Sequence, residues 1–166
     1  MPDELFSLDD RVAIVTGGFG QIGKEFCKEL LARGAKVVIW GRKPVTGAQL
    51  AEAFGDAAKR VRAFSVDIAK KDSIVDAFEK TKAVWGVPHV LVNNAGIDTQ
   101  PSAPPEVSGP FEEFPEAVWR EVIDINLTGT FLCCQIVGGA MAKCGRGSII
   151  NVGSIYGMLS PIQDIY

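Results

Sequence analysis

Short apolar runs alternate with longer segments in which apolar residues recur every three or four positions, and this rhythm predicts strands joined by crossover helices. Val12-Ala-Ile-Val15 reads as a first buried strand, Lys36–Trp40 as a second, 61–66 as a third, His89–Val92 as a fourth and 148–152 as a fifth. Between the first two, Ile22, Phe26, Cys27, Leu30 and Leu31 form a helical stripe that Gly34 closes in the C′ role. A helix is predicted around Gln49–Phe54, and another with Asp72 as N-cap and Ile74, Phe78, Thr81 and Trp85 facing inward. The Pro- and Ser-rich stretch from Asp98 to Gly109 reads as a loop. From Pro115 a long helix follows on the stripe Trp119, Val122, Asn126, Thr130, Cys133 and Val137. Strands that are apolar on both faces imply a parallel sheet covered by helices on each side, a doubly wound α/β architecture of three layers. Ligands bind such sheets beyond the carboxyl ends of the strands.

Composition narrows the class. The chain has 166 residues, enough for one domain spanning 1–166 with a real core, and 47% of them are hydrophobic against 22% charged. Twenty acids against seventeen bases give a net charge of −3 without a basic block, so neither nucleic acid nor an anionic membrane is an expected partner. The acidic start Met1-Pro-Asp-Glu4 does not read as a signal peptide. The apolar run Phe131–Ala142 falls short of the roughly 20 residues that span a bilayer. Cys27, Cys133, Cys134 and Cys144 lack metal-ligand spacing, and no His/Cys/carboxylate cluster suggests a metal. A reducing, cytoplasmic setting is the expectation.

The chemistry gathers after the strands. Thr16-Gly-Gly-Phe-Gly-Gln-Ile-Gly23 lies between the first strand and the first helix. Glycines there allow a tight turn and close approach to a pyrophosphate, whose charge the helix N-terminus stabilises. A tight turn without a ligand is the plainer reading, and the flanking strand and helix argue against it. After the second strand, where an acid would bind a ribose 2′-hydroxyl, stand Gly41, Arg42 and Lys43. No acid repels a 2′-phosphate, and the guanidinium of Arg42 can grip one, which places NADP(H) ahead of NAD(H). A solvated surface arginine is the alternative.

The turn resembles the Thr-Gly-x-x-x-Gly-x-Gly signature of short-chain dehydrogenases. It departs at Gln21, and its glycines at 17, 20 and 23 are spaced more like the extended, sugar-nucleotide branch. Three later motifs favour the core, single-domain branch: Asn93-Asn-Ala-Gly96 after the fourth strand, Asn126-Leu-Thr-Gly129, and Asn151-Val-Gly-Ser-Ile-Tyr-Gly157. The resemblance implies a Rossmann-type fold and a nicotinamide-dependent oxidoreductase acting on a carbonyl or alcohol. It implies cofactor contacts from Gly17, Gly20, Gln21, Ile22 and Gly23, from Asp67 and Ile68 beside the adenine, and from Asn94, Ala95 and Gly96 near the adenine-side ribose.

It also implies catalysis by a serine holding the substrate oxygen, matched by Ser154, and an asparagine positioning a water, matched by Asn126. A strand-end serine bonded to its own backbone and a satisfied core amide are the structural alternatives. The family's proton donor is a tyrosine acidified by a lysine four residues later. Lowering a phenol from a pKa of ~10 to ~7 requires roughly 4 kcal/mol. Tyr166 stands 12 positions after Ser154 and ends the sequence, so it is either that tyrosine or a loop residue, and the latter is favoured. Tyr156 and Lys143 are out of motif. The expectation is a domain incomplete at its C-terminal end, with the last strands and helices absent, its fifth strand an open edge and turnover slight. A homo-oligomer is expected of a longer form, and a catalytically inactive dinucleotide-binding module is the alternative function. His89, at a strand start, reads as structural; Asp98, Gln100, Phe111 and Phe114 belong to a loop that could meet substrate.

Overall fold

The computed structural model describes residues 4–98 and 110–158. Five strands form one parallel sheet in the order β3-β2-β1-β4-β5: β1 Val12–Thr16, β2 Lys36–Gly41, β3 Val61–Ser65, β4 Val90–Asn93 and β5 Ser148–Asn151. Successive strand side chains point to opposite faces. Val12, Ile14, Val38, Trp40 and Leu91 therefore enter one core, packed by Ile74, Ala77 and Phe78 of α3 (Lys71–Trp85) and by the long helix Glu116–Lys143. Val15, Val37, Ile39, Val61 and Val92 enter the other, against Cys27 and Leu31 of α1 (Gln21–Ala32) and Leu50 and Phe54 of α2 (Gly47–Phe54). The chain is thus a Rossmann-like three-layer α/β/α sandwich. Each aliphatic side chain removed from water in it contributes about 1.5–3 kcal/mol.

Helix ends follow local chemistry. Gly34, at φ +98°, sits at C′ of α1, its N–H reaching the Leu31 carbonyl (3.1 Å) while that of Ala35 reaches Leu30 (3.0 Å), which completes a Schellman closure. Thr46 and Gln49 form a reciprocal capping box on α2. At α3 the expected cap is displaced: Lys70 occupies the N-cap without a side-chain bond, and Asp72 lies in the first turn, where its charge still favours the helix dipole. Ile22 also departs from its stripe. It is 63% exposed, because the first turn of α1 overhangs the sheet end, and burial begins at Gly23.

The long helix departs most. The buried positions are Ile125, Gly129, Cys133, Val137 and Met141, one every fourth residue, while Trp119 is 58% exposed and Asn126 lies outside the stripe. In a helix of about 3.6 residues per turn an every-fourth stripe drifts around the axis. Two π-helical stretches, Asp124–Gly129 and Cys134–Gly138, widen the turn and keep it in line. By length and composition this helix could cross a membrane, which the shorter run Phe131–Ala142 did not suggest; here its apolar stripe is built into the sheet core.

Burial pushes the thiols of Cys27 and Cys133 up to about 12, Cys133 helped by the neighbouring Cys134, whereas Cys144 is exposed. A disulfide-exchange reagent at pH 8 is expected to label Cys144 first, Cys134 more slowly, and Cys27 and Cys133 only on unfolding. Mass mapping that found Cys27 labelled in the folded protein would contradict this burial.

His89 stands at the amino end of β4, the end of the sheet away from the strand termini that carry the motifs. Its Nδ1 accepts from the Val12 N–H (3.1 Å), its own N–H donates to the Val12 carbonyl (2.7 Å), and its carbonyl accepts from Ser148 (2.8 Å). Burial, then the charges of Arg146 and Arg11, lower its pKa, in keeping with a neutral ring that joins three strands.

Candidate functional site: a cleft at the strand-order switch

β1 pairs with β2 on one side and with β4 on the other, so the chain leaves its carboxyl end in opposite directions and opens a crevice there. The glycine turn fills the floor. Gly17 holds φ +64° and donates to the Trp40 carbonyl (2.7 Å), and the Gly20 N–H closes on the Gly17 carbonyl (2.9 Å). A Cβ on Gly23 would press into the Gly17 carbonyl oxygen and come within 2.8 Å of Gly18 Cα, so α1 can begin this close to the turn only with glycine there. Gly20, the N-cap, offers no capping side chain, so the first-turn amides of α1 go uncapped where Gly20–Gly23 line the cleft.

Thr16 ties this turn to the end of β4. Its buried hydroxyl accepts from the N–H groups of Asn94 and Ala95 (both 3.0 Å) and lies 3.5 Å from the Val92 carbonyl oxygen, to which it donates. Asn94 returns the connection, its Nδ2 donating to the carbonyls of Thr16 (3.0 Å) and Gly17 (3.4 Å). Sequence reasoning overlooked Thr16 as a site residue. The signal was its place at the strand's last position, directly before the glycines.

The resulting cleft measures about 680 Å³, within the range of small-molecule sites. Gly17, Gly20, Gln21, Ile22 and Gly23 line it from the turn, Arg42 from the end of β2, Asp67 and Ile68 from the segment after β3, and Asn94, Ala95 and Gly96 from beyond β4. The fold therefore brings every residue expected at a dinucleotide into one cavity. Sequence reading did not include the apolar wall of Trp40, Phe64, Val66, Ile97 and Ile125. The Asp67 carboxylate is held in place, Oδ1 accepting from the Ala69 N–H (3.1 Å) and Oδ2 lying 3.4 Å from Lys70 Nζ. Arg42 has its carbonyl pinned by the Ser65 hydroxyl (2.9 Å) and its Nη1 3.6 Å from Glu121.

Asn126 and Ser154 do not line this cleft. Asn126 spends its side chain on one residue of the wall, Oδ1 accepting from the Ile97 N–H (2.9 Å) and Nδ2 donating to the Ile97 carbonyl (2.8 Å). Ser154 follows β5, whose register aligns Asn93 with Asn151 and continues through the Val152 N–H to the Asn93 carbonyl (2.9 Å). It is exposed, and its carbonyl accepts from Gly157 (3.0 Å). Buried Asn93 donates across the strand pair to Asn151 Oδ1 (2.8 Å) and to Cys134 Sγ (3.3 Å), a junction between β4, β5 and the long helix that sequence reading also overlooked. Among the described residues no three His, Cys, Asp or Glu side chains gather as a metal site. Gln100 and Tyr166 lie outside the described residues.

Comparison with known proteins accords with this geometry. The chain matches the short chain dehydrogenase family over residues 11–166. It is 34% identical over 152 residues to a 3-alpha-(or 20-beta)-hydroxysteroid dehydrogenase of Mycobacterium tuberculosis, covering 92% of this chain and 54% of that protein. It is 38% identical over 148 residues to a cis-4-hydroxycyclohexanecarboxylate dehydrogenase of Sinomonas cyclohexanicum, covering 89% and 56%. A solved structure of ElxO with NADP bound superposes with a TM-score of 0.82 at 26% identity, covering 93% of this chain and 60% of that one. The protein belongs to the short-chain dehydrogenase family, whose fold binds NAD(P). The chain spans about half the length of these curated relatives.

Proposed function

We propose that the protein is an NADP(H)-dependent oxidoreductase that transfers hydride between the nicotinamide and a carbonyl or alcohol. The observation that carries this reading is one cleft lined both by Gly17, Gly20 and Gly23 of the turn and by Arg42, with no acid at position 41. When bound, the nicotinamide supplies the hydride chemistry. In this reading the first-turn amides of α1 and the turn glycines hold the pyrophosphate, Gln21 and Ile22 shape its rim, and Arg42 takes the 2′-phosphate. Asp67 and Ile68 bracket the adenine, and Asn94, Ala95 and Gly96 border the ribose. The residues present suit the group, since Gly17, Gly20 and Gly23 line the cleft without side chains, and glycine at 23 lets α1 begin directly against the turn.

Ser154 is assigned to the substrate oxygen, at the end of the strand next to the Asn94–Gly96 turn. Asn126, with both amide atoms on Ile97, holds the cleft wall where it leaves β4. No role is assigned to Tyr166. A small-molecule substrate rather than nucleic acid accords with the net charge of −3, and the two relatives are named as dehydrogenases of hydroxylated compounds, which suits an alcohol or its ketone here.

Buried Trp40 lines the cleft next to Gly41 and gives a fluorescence reporter. Titration is expected to show NADPH binding about tenfold more tightly than NADH, the worth of one charge-assisted contact in partly exposed surroundings. A Cβ at Gly41 meets nothing within 4 Å, so Gly41→Asp introduces the missing acid without a clash and is expected to reverse the preference. Tighter binding of NADH by the unaltered protein would overturn the NADP(H) assignment.

A further inference from the structure

Arg42 reaches the cleft already carrying a partner from another element. Its Nη1 lies 3.6 Å from Oε1 of Glu121, which belongs to the first turns of the long helix, and the two side chains are 59% and 57% exposed. The contact falls where two cavities meet. Arg42, Asp67 and Ile125 line both the cleft and a second cavity of about 400 Å³, whose outer side Arg120, Glu121 and Asp124 complete. Of the neighbouring charges, Asp67 is engaged with Ala69 and Lys70 and Arg120 with Glu116 at 2.7 Å, while Lys43 also lines the cleft and Asp124 the second cavity.

We propose that Glu121 is a cofactor-specificity residue: it is the counter-ion from which a 2′-phosphate must take Arg42, and it thereby limits how strongly the protein prefers NADP(H) to NAD(H). The inference rests on the reading of Arg42 as the 2′-phosphate ligand. NAD-preferring chains place an acid at the end of the second strand to meet the ribose. Here the strand ends in Gly41, and the acid at this corner arrives through the tertiary fold, from a helix some eighty positions away in the chain. A ligand without the 2′-phosphate leaves the Arg42–Glu121 pair intact. One that carries it must replace a carboxylate on the same guanidinium, so binding yields only the difference between two ion pairs. Because the pair is exposed and screened, its worth is modest: removing the carboxylate should raise the preference about two- to fivefold.

Calorimetric titration with 2′,5′-ADP and with 5′-AMP tests this on the purified protein, because the two probes differ only at the 2′ position. The ratio of their affinities is expected to rise two- to fivefold in Glu121→Gln and to fall nearly to one in Arg42→Gln. In the double variant it should equal that of Arg42→Gln alone. Both side chains are exposed, and an unchanged thermal midpoint shows that folding is not what the ratio reads. A ratio unmoved by Glu121→Gln, or raised equally with and without Arg42, would overturn the role of Glu121 while leaving Arg42 in place. A ratio unmoved by Arg42→Gln would remove the Arg42 reading itself.

Discussion

Replacing Gly23 with alanine is expected to weaken NADPH binding about a hundredfold, the equivalent of losing two charge-assisted hydrogen bonds, and to destabilise the fold by about 2–3 kcal/mol. The added methyl has nowhere to go. It would overlap the Gly17 carbonyl oxygen, stand 2.8 Å from Gly18 Cα and come 2.9 Å from Asn94 Nδ2, and the first two are backbone that no rotamer change moves aside. Relief requires α1 to retreat from the turn, carrying away the first-turn amides on which an anion would rest. Two other glycines provide the comparison. A Cβ at Gly20 meets only the Gly17 oxygen, at 3.2 Å, and should weaken binding slightly, while one at Gly41 meets nothing within 4 Å and should leave stability unchanged. Denaturant unfolding and cofactor titration of the three alanine variants check the order. Wild-type affinity in Gly23→Ala would refute the cradle.

The second large effect is expected from Thr16→Val. Valine fills the same volume but offers no oxygen, so the N–H groups of Asn94 and Ala95 lose their acceptor where β1 and β4 diverge. At about 1–3 kcal/mol for each polar group left unpaired, a loss of about 3 kcal/mol in unfolding free energy is predicted. Cofactor affinity should fall with it, because the Asn94–Gly96 border of the cleft is released. Thr16→Ser keeps the hydroxyl and should lose less than half as much. A valine variant as stable as the threonine parent would show that the two amides find other partners.

Both predictions turn on a site whose chemistry could be read in the chain, though its cohesion could not. The glycine turn was legible because three glycines between an apolar strand and an amphipathic helix have few other uses. Arg42 was legible because it directly follows Gly41, which stands where an acid was expected. Ser154 and Asn126 were visible by resemblance alone, and the structure gives Asn126 a task that no spacing suggests, clasping both backbone polar groups of Ile97 from 29 positions away. The stripe of the long helix was misread because a period of about 3.6 was applied to a helix that widens twice into π turns. Gly129, buried there, has no room for a side chain because a Cβ would come within 3.0 Å of the Ile68 carbonyl oxygen, a neighbour that no local pattern names.

What the amino-acid sequence determined by itself is whatever depends on near neighbours. Apolar runs make strands, periodic stripes make helices, and glycines permit φ +64° at Gly17 and +98° at Gly34. These set the layers of the fold and the place where a dinucleotide is expected to lie. The tertiary structure decided which side chains face one another across the sheet ends: Thr16 with Asn94 and Ala95, Asn93 with Asn151, and Arg42 with Glu121. Those pairs join residues about sixty to eighty positions apart, and chain patterns carry no record of such separations. Only the strand order, with β1 between β2 and β4, brings them within hydrogen-bonding or ionic reach.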